Sequence, residues 1–192
     1  MKQQMLLLLV AAILLGCTSE ADHRYNVDIR WTSYGIPHVK ADDWGSLGYG
    51  FAYATATDGV CVFAREVATA NGTLAADFGA TDENLASDAF HRAIVTGERV
   101  FRNGLAMSAN MREYGAGFVA GYNRFIQDNR DSLPAGCAGE AWVRPISELD
   151  LGRMFIAFGV RYGAGSLVDG IAAAAPPGEP VAAVQLDYDP MP

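Results

Sequence analysis

The sequence predicts an α+β fold that is mainly helical, in which two short strands come first and helices follow. Residues 27–32 and 36–41 alternate apolar and polar side chains, the period of a half-buried strand, on either side of a Tyr34-Gly35 turn. From Trp44 onward the apolar side chains recur every three or four residues instead, as on one face of a helix. This change of period separates a strand region from a helical region.

The first predicted helix starts at Trp44, is interrupted near Gly59, and ends at the Asn71-Gly72 pair, which favours a turn. Further on, large apolar side chains recur at steps of three and four, which predicts a second helix that runs until Pro134 ends it. These residues are Met107, Met111, Tyr114, Phe118, Tyr122 and Phe125. A stripe of this kind is typical of core packing.

A third helix is predicted to begin at Ser147, because the stretch from Ser147 to Asp150 resembles a capping box. This helix carries Met154, Phe155, Phe158 and Tyr162. Residues 172–192 contain five of the eight prolines in the chain, a composition that indicates a linker or spacer and not a core element.

Residues 1–17 have the composition of a signal peptide. An apolar run from Met5 to Leu15 follows one lysine and is too short to span a bilayer. Its ending resembles a bacterial lipobox, in which Cys17 is lipidated, and ordinary secretion is the alternative. We expect an exported protein, either periplasmic or anchored to the outer membrane as a lipoprotein through that lipid alone, with residues 18–25 as a short tether.

The cysteines have a simple interpretation in an exported chain. If Cys17 carries lipid, only Cys61 and Cys137 remain. Two thiols in an oxidising compartment most simply pair with each other, so we expect a disulfide between them. A metal site would need more ligands at close spacing, and none of the three histidines is near either cysteine in sequence. We expect no metal and no other cofactor.

The charge of the chain argues against nucleic acid as a partner. The 14 basic and 22 acidic residues give a net charge of -8, which repels phosphate backbones. An apolar fraction of 51% is typical of a folded protein, and 192 residues are enough to bury one core.

The stretch YGIPHVKADDWGSLGYG, residues 34–50, contains two candidates for chemistry. His38 with Asp42 or Asp43 could form an acid–base pair, although a histidine within a strand is more often structural. The glycines of residues 45–50 match GxxGxG and lack the lysine of a phosphate-binding loop. We interpret the stretch as scaffold, whose glycines let another element, in our interpretation a partner subunit, approach the helix closely.

Taken in order, four segments resemble the penicillin acylase family. Residues 29–79 resemble its N-terminal region, on the branch that contains aculeacin A acylase and N-acyl-homoserine-lactone acylases. Residues 84–92, 117–126 (GFVAGYNRFI) and 133–151 (LPAGCAGEAWVRPISELDL) agree in the same order. The resemblance covers about residues 26–170 and concerns the α-subunit region only.

This resemblance implies an αββα N-terminal-nucleophile hydrolase, whose exported precursor cuts itself into an α subunit, a spacer and a β subunit. The new N-terminal serine of β would attack an amide, with its own α-amino group as base. An α-amino group has a pKa of about 8, so it can be neutral where a lysine cannot. All these groups belong to β, so no catalytic residue is assigned here. Residues 26–171 would be the α-subunit-like domain and residues 172–192 the spacer-like tail.

One serine follows a glycine, as a nucleophilic serine would follow the point at which the precursor is cut. Ser166 follows Gly165, but Leu167 stands where the family pattern has asparagine, so Ser166 is not assigned as the nucleophile. A calcium site of part of the family matches Val168, whose side chain offers no ligand atom, and Asp169 is only adjacent, which agrees with the expectation of no metal.

In the related penicillin acylases, residues near the end of the last α-subunit helix line and gate the acyl pocket. Residues 154–162 look like this segment, and the resemblance makes Phe158, Arg161 and Tyr162 the substrate-pocket candidates. The alternative is that Phe158 is plain core and Arg161 a surface or ion-pair residue.

The implied function is the α-subunit part of a secreted hydrolase that acts on the linear amide bond of N-acyl compounds. Its substrates would be acyl-homoserine lactones or lipopeptide or penicillin-like antibiotics, and it would be inactive without a β subunit from the same precursor or a separate chain. The alternative function is a non-catalytic envelope lipoprotein, or a truncated remnant of such an acylase.

Mass spectrometry of unreduced proteolytic peptides should recover the Cys61 peptide linked to the Cys137 peptide, because an oxidising compartment joins two otherwise free thiols. Reduction before digestion should release the two peptides separately and serves as the control. Recovery of both cysteines as free thiols from unreduced, exported protein would refute the pairing.

Overall fold

A computed structural model of the chain describes residues 24–163. Two short antiparallel strands come first and six helices follow within this range, which confirms the predicted fold class. The elements are β1 Val27–Trp31, β2 Pro37–Ala41, α1 Trp44–Asn71, α2 Leu74–Phe78, α3 Asp82–Ile94, α4 Gly97–Ala106, α5 Ala109–Asp128 and α6 Glu148–Tyr162. None of the described helices is both long enough and apolar enough to cross a membrane.

The chain divides into two compact units, Met1–Ala157 and Phe158–Pro192, and the fold below concerns the described part of the first. Several predictions fall outside the described residues. They concern the signal peptide, Cys17, the tether up to residue 23, Ser166, Val168 and the tail at residues 172–192.

The two strands form a hairpin that lies against α1. Ile29 pairs with Val39 in the antiparallel register, and the turn closes at Gly35, whose φ of 77° is in the left-handed region. Gly50 of α1 lies under the hairpin, where an added Cβ would come within 3.0 Å of the Val27 and Val39 side chains. The hairpin therefore rests on α1 at a position where only glycine fits.

Helix α1 follows its predicted limits closely. Asp43 caps its start by accepting a hydrogen bond of 2.7 Å from the Ser46 backbone N–H, and Gly72 ends it with a φ of 65°. Helical geometry breaks at Gly59, as predicted. Ten of its twelve buried residues are glycine, alanine or serine, so neighbouring elements approach its backbone closely.

The most extensive helix contact is between α1 and α5, and glycines bring the two backbones together. A Cβ added at Gly48 would lie well under 3.0 Å from the Tyr114 carbonyl oxygen, and one at Gly121 equally close to that of Tyr49. Gly117 is likewise too close to the α1 backbone for any side chain. The element that approaches Gly48 is therefore α5 of this chain. Our interpretation that a partner subunit approaches there was wrong.

The predicted stripe on α5 is confirmed as core for Phe118, Tyr122 and Phe125, which are buried. Phe63 of α1 contacts this stripe, with its ring centroid 4.7 Å from that of Tyr122. The limits of the helix differ from the prediction, because Ser108 caps its start and excludes Met107. It ends at Asp128, well before Pro134, since the following residues form turns.

Between residues 74 and 106 the structure adds three helices that the sequence patterns did not reveal. The buried carboxylate of Asp88 on α3 accepts hydrogen bonds from the Leu74 and Ala75 backbone N–H groups, at 2.8 and 2.9 Å. These two N–H groups lie at the start of α2. Asp88, on the neighbouring helix α3, therefore caps this short helix. Arg92 donates to the Gly72 carbonyl at 2.8 Å and fixes the end of α1 to α3.

A disulfide joins Cys61 of α1 to Cys137, with an S–S distance of 2.06 Å and Cα atoms 5.6 Å apart. Cys137 is fully buried in the segment between α5 and α6. On the same segment Trp142 contacts Phe78 of α2, with ring centroids 4.8 Å apart. The segment that leads into α6 is therefore attached to both α1 and α2.

Asp150 is the centre of a polar cluster that fixes the start of α6. Its carboxylate accepts hydrogen bonds from Asn71 at 2.8 Å, from Arg144 at 3.0 Å and from the Ser147 backbone at 2.8 Å. The Ser147 hydroxyl accepts from the Asp150 N–H in return, which confirms the predicted capping box. Burial by itself raises the pKa of Asp150, but these donors outweigh it and lower the pKa to about 2.

Gly121→Ala should lower the free energy of unfolding by about 1–3 kcal/mol or more, because its methyl group would overlap the α1 backbone. Gly115→Ala on the same helix is the matched control, since its Cβ would have no neighbour nearer than a Leu151 methyl carbon at 3.8 Å. That variant should be neutral or up to about 1 kcal/mol more stable. Urea unfolding followed by circular dichroism measures both, and equal midpoints would contradict the crossing.

Asp150→Asn should remove a pH dependence of stability. Because folding lowers the pKa of Asp150, its carboxylate stabilises the fold above the unfolded pKa of about 4, and this contribution is lost as the pH falls towards 2. For the wild type we expect about 2 kcal/mol of unfolding free energy to disappear across this window. The variant should lack that loss and be about 2 kcal/mol less stable at pH 7.

The control for this experiment is Asp131→Asn, at an exposed position in the turn after α5. It should keep the wild-type profile when urea unfolding is measured from about pH 5 to about pH 2. An unchanged profile in Asp150→Asn would show that the buried carboxylate is not the group that titrates.

Candidate functional site

The three substrate-pocket candidates lie on the last turns of α6, in the second unit of the chain. Phe158 is half-buried, and the Arg161 guanidinium carbon lies 5.7 Å from the centre of its ring, within the range of a cation–π contact. Tyr162 is 83% exposed. The structure thus brings Phe158 and Arg161 together and leaves Tyr162 at the surface, and their role in a substrate pocket stays a prediction.

The beginning of α6 belongs to the first unit and is held rigidly. Asp150, Leu151, Met154 and Ala157 are buried, and the Asp150 cluster supplies the helix with its cap. Arg153 donates to the Asn71 side chain, whose amide also donates to Asp150. Within the first unit, the start of α6 is therefore fixed to the end of α1.

An apolar cavity of about 440 Å³ lies between α4, the start of α5 and the first turns of α6, and we call it the α4–α6 groove. Its apolar walls include Val100, Phe101, Leu105, Met111, Leu151 and Phe155. Two charged residues, Arg112 and Glu148, also line it. The Arg112 guanidinium donates one hydrogen bond to the Met107 carbonyl oxygen.

The sequence analysis missed this groove because it did not identify α4. A signal was present, since Phe101 and Leu105 are four residues apart and polar residues separate them. Thr96 would have marked the start, and in the structure its hydroxyl accepts a hydrogen bond from the Arg99 N–H. The apolar pattern of α4 is short, however, and the apolar pattern of α5 is a much stronger signal of a helix.

The residues considered as an acid–base pair, within residues 38–43, have other places in the structure. Asp43 accepts hydrogen bonds of 2.7 Å from both the backbone and the hydroxyl of Ser46, and these bonds lower the pKa of Asp43. The Ser46 hydroxyl, fully buried, also accepts from the Asn26 N–H at 2.9 Å. His38 lies on the exposed face of β2, opposite Arg30. Asp43 and Ser46 thus serve as a helix cap that ties β1 to α1.

One buried polar atom stands apart from these clusters. The Tyr122 hydroxyl has no hydrogen-bond partner among residues 24–163, and burial raises the pKa of Tyr122 well above its ordinary value. It therefore stays protonated and does not act as a base. Within the same residues, no group of three or more His, Cys, Asp or Glu side chains could hold a metal ion.

Comparison with known proteins identifies the relatives of this chain. A model of the penicillin amidase family matches residues 26–173. The chain is 45% identical to Aculeacin-A acylase from Actinoplanes utahensis over 170 residues, which are 82% of this chain and 22% of that protein. It is 40% identical to Acyl-homoserine lactone acylase PvdQ from Pseudomonas fluorescens over 158 residues, which are 79% of this chain and 20% of that protein.

A solved structure shares the fold. Thermostable penicillin G acylase from Alcaligenes faecalis matches with a TM-score of 0.66 and 26% identity, over 77% of this chain and 80% of that chain. The chain thus spans about a fifth of the length of its curated relatives but most of a chain in a solved acylase. From these matches, the chain belongs to the penicillin amidase family and corresponds to its α-subunit region.

Proposed function

We propose that this chain is the α-subunit region of an exported penicillin-acylase-type amidohydrolase, which acts together with a β subunit on the linear amide bond of N-acyl compounds. The observation that carries the proposal is the family match over residues 26–173, together with the three relatives described above, each of which is named an acylase. The family is built from heterodimers, so a β partner is expected.

The roles proposed for the two subunits come from the family resemblance. Asp43, one of the residues considered for an acid–base pair, instead caps α1 by accepting hydrogen bonds from Ser46. As the resemblance implies, the nucleophile is assigned to β, as an N-terminal serine with its α-amino group as base. The contribution of α is a wall of the acyl pocket, formed by Phe158, Arg161 and Tyr162 at the end of α6.

The proposed substrates are N-acyl-homoserine lactones and lipopeptide or penicillin-like antibiotics. Two curated relatives are named as acylases of aculeacin A and of acyl-homoserine lactones. All these compounds would present an acyl group on a linear amide, and the half-buried ring of Phe158 offers an apolar surface to such a group.

We place the enzyme outside the cytoplasm, either periplasmic or attached through lipid at Cys17. The disulfide between Cys61 and Cys137 supports this location, because disulfides persist in oxidising compartments. The apolar run from Met5 to Leu15 supports export in the same way.

Purified together with its β subunit, the chain should release free fatty acid from an N-acyl-homoserine lactone, while the chain alone should be inert because it lacks the nucleophile. Liquid chromatography of the released acid measures this. Hydrolysis by the isolated chain would show that the catalytic groups were assigned to the wrong subunit. A folded complex without activity would favour the truncated remnant.

The pocket assignment can be tested in the same complex with Phe158→Ala. Removing an apolar wall should reduce kcat/KM for the preferred acyl chain by about tenfold or more and shift the preferred chain length. Val62→Ala, at a position that is 69% exposed on α1, is the control and should leave both unchanged. An unaltered chain-length profile in Phe158→Ala would assign Phe158 to the core.

A further inference from the structure

The chain contains two Asn-Gly pairs, Asn71–Gly72 at the end of α1 and Asn103–Gly104 within α4. Such a pair is prone to deamidation, because glycine has no side chain to hinder its nitrogen from reaching the asparagine Cγ. A bond forms between that nitrogen and Cγ, and the bond from Cγ to Nδ2 breaks. Ammonia leaves with the proton of the glycine N–H, and water then opens the resulting succinimide to aspartate or isoaspartate.

Both reacting groups of Asn71–Gly72 are held in the folded chain. The Gly72 N–H donates to the Thr69 carbonyl at 3.0 Å, and the Gly72 carbonyl accepts from Arg92 at 2.8 Å. The Asn71 Nδ2 donates to the Val67 carbonyl at 2.9 Å, so the side chain runs back along α1. The nitrogen thus shares its proton with one carbonyl, while the amide is directed towards another.

Helix α6 supplies the remaining contacts of Asn71. Its Nδ2 also donates to the Asp150 carboxylate at 2.8 Å, and its side-chain oxygen accepts from Arg153. We call these contacts the α1–α6 junction, and its two sides are 79 and 82 residues apart in sequence. Rotation of the amide towards Gly72 would break the junction, so the reaction requires a local opening of the fold.

The second pair lies in a different environment. Asn103 is exposed, and an added Cβ at Gly104 would have no neighbour within 4 Å. Helix α4 has ten residues, none of which is buried, so it has little to keep it closed. Asn103–Gly104 therefore serves as a reference within the same molecule for a pair that the tertiary structure does not protect.

We propose that Asn71–Gly72 is a latent deamidation site, which the α1–α6 junction keeps unreactive and which reacts when the junction opens. The product has a carboxylate in place of the amide, and a carboxylate cannot donate to Asp150 or to the Val67 carbonyl. It also places a second negative charge beside Asp150, and isoaspartate adds a main-chain carbon at the end of α1. Deamidation would thus make a transient opening of the junction permanent, whatever the activity of the protein.

The test follows deamidation by peptide mass spectrometry of the full chain, in native buffer and in unfolding concentrations of urea at the same mildly alkaline pH. Asn71 should react at least about a hundredfold more slowly in native buffer than in urea, because the closed junction prevents the attack. Asn103 should slow by less than about tenfold, because α4 opens easily.

Two variants open the junction from the α6 side. Arg153→Gln and Asp150→Asn should each speed the reaction of Asn71 in native buffer by about tenfold or more, because each changes a partner of the Asn71 amide. Arg30→Gln, at an exposed position on β1, is the control and should leave the rate unchanged. Circular dichroism should first show that each variant is folded.

The product itself is tested with Asn71→Asp, which should lower the urea midpoint of unfolding, because the junction loses two donated hydrogen bonds. Asn103→Asp makes the same change on exposed α4 and should keep the wild-type midpoint. An Asn71→Asp midpoint equal to that of the wild type would show that the junction tolerates the product, which overturns the permanent opening.

The rates decide the rest of the proposal. Equal rates at Asn71 in native buffer and in urea would show that the fold does not protect the pair. Absence of reaction at Asn71 in urea, where Asn103 reacts, would show that the pair is not a deamidation site. A native rate that neither Arg153→Gln nor Asp150→Asn changes would show that the protection does not come from α6. Each of these results overturns the proposal.

Discussion

The close crossing of α1 and α5 is the constraint on which the other contacts depend. Glycines on both helices, Gly48 and Gly121 among them, let backbone approach backbone where no side chain fits. Such a contact has little freedom to slide, because a shift along either helix would place a larger residue at the crossing. With α1 fixed in this way, its remaining faces are available to the hairpin at Gly50 and to α2 and α3.

Helix α6 depends on this frame through two kinds of attachment. The Cys61–Cys137 disulfide holds the preceding segment to the middle of α1, and the hydrogen bonds of Asp150 hold the first turn of α6 to Asn71 at the end of α1. A covalent bond and a charge-assisted cluster act at opposite ends of one segment. The first turn of α6 is thus set by the scaffold of the first unit.

The sequence predicted the scaffold better than the site. The break in α1 at Gly59 and its end at Gly72 were predicted because glycine is a strong local signal. The capping box at Ser147 was predicted because its residues are also close in sequence. Phe158, Arg161 and Tyr162 came from family resemblance, since nothing in their spacing distinguishes a pocket from a core. The groove was missed because its walls come from three helices that are distant in sequence.

By itself the sequence determined the class of fold, the family and the order of strands before helices, because periodicity and turn residues are local properties of the chain. Only the tertiary structure decided what the glycines of residues 45–50 are for. Their motif resembled a phosphate loop, and no pattern in the neighbouring residues identifies the element that packs against them. The answer, α5 and the hairpin, depends on contacts between residues far apart in sequence, which no local pattern specifies.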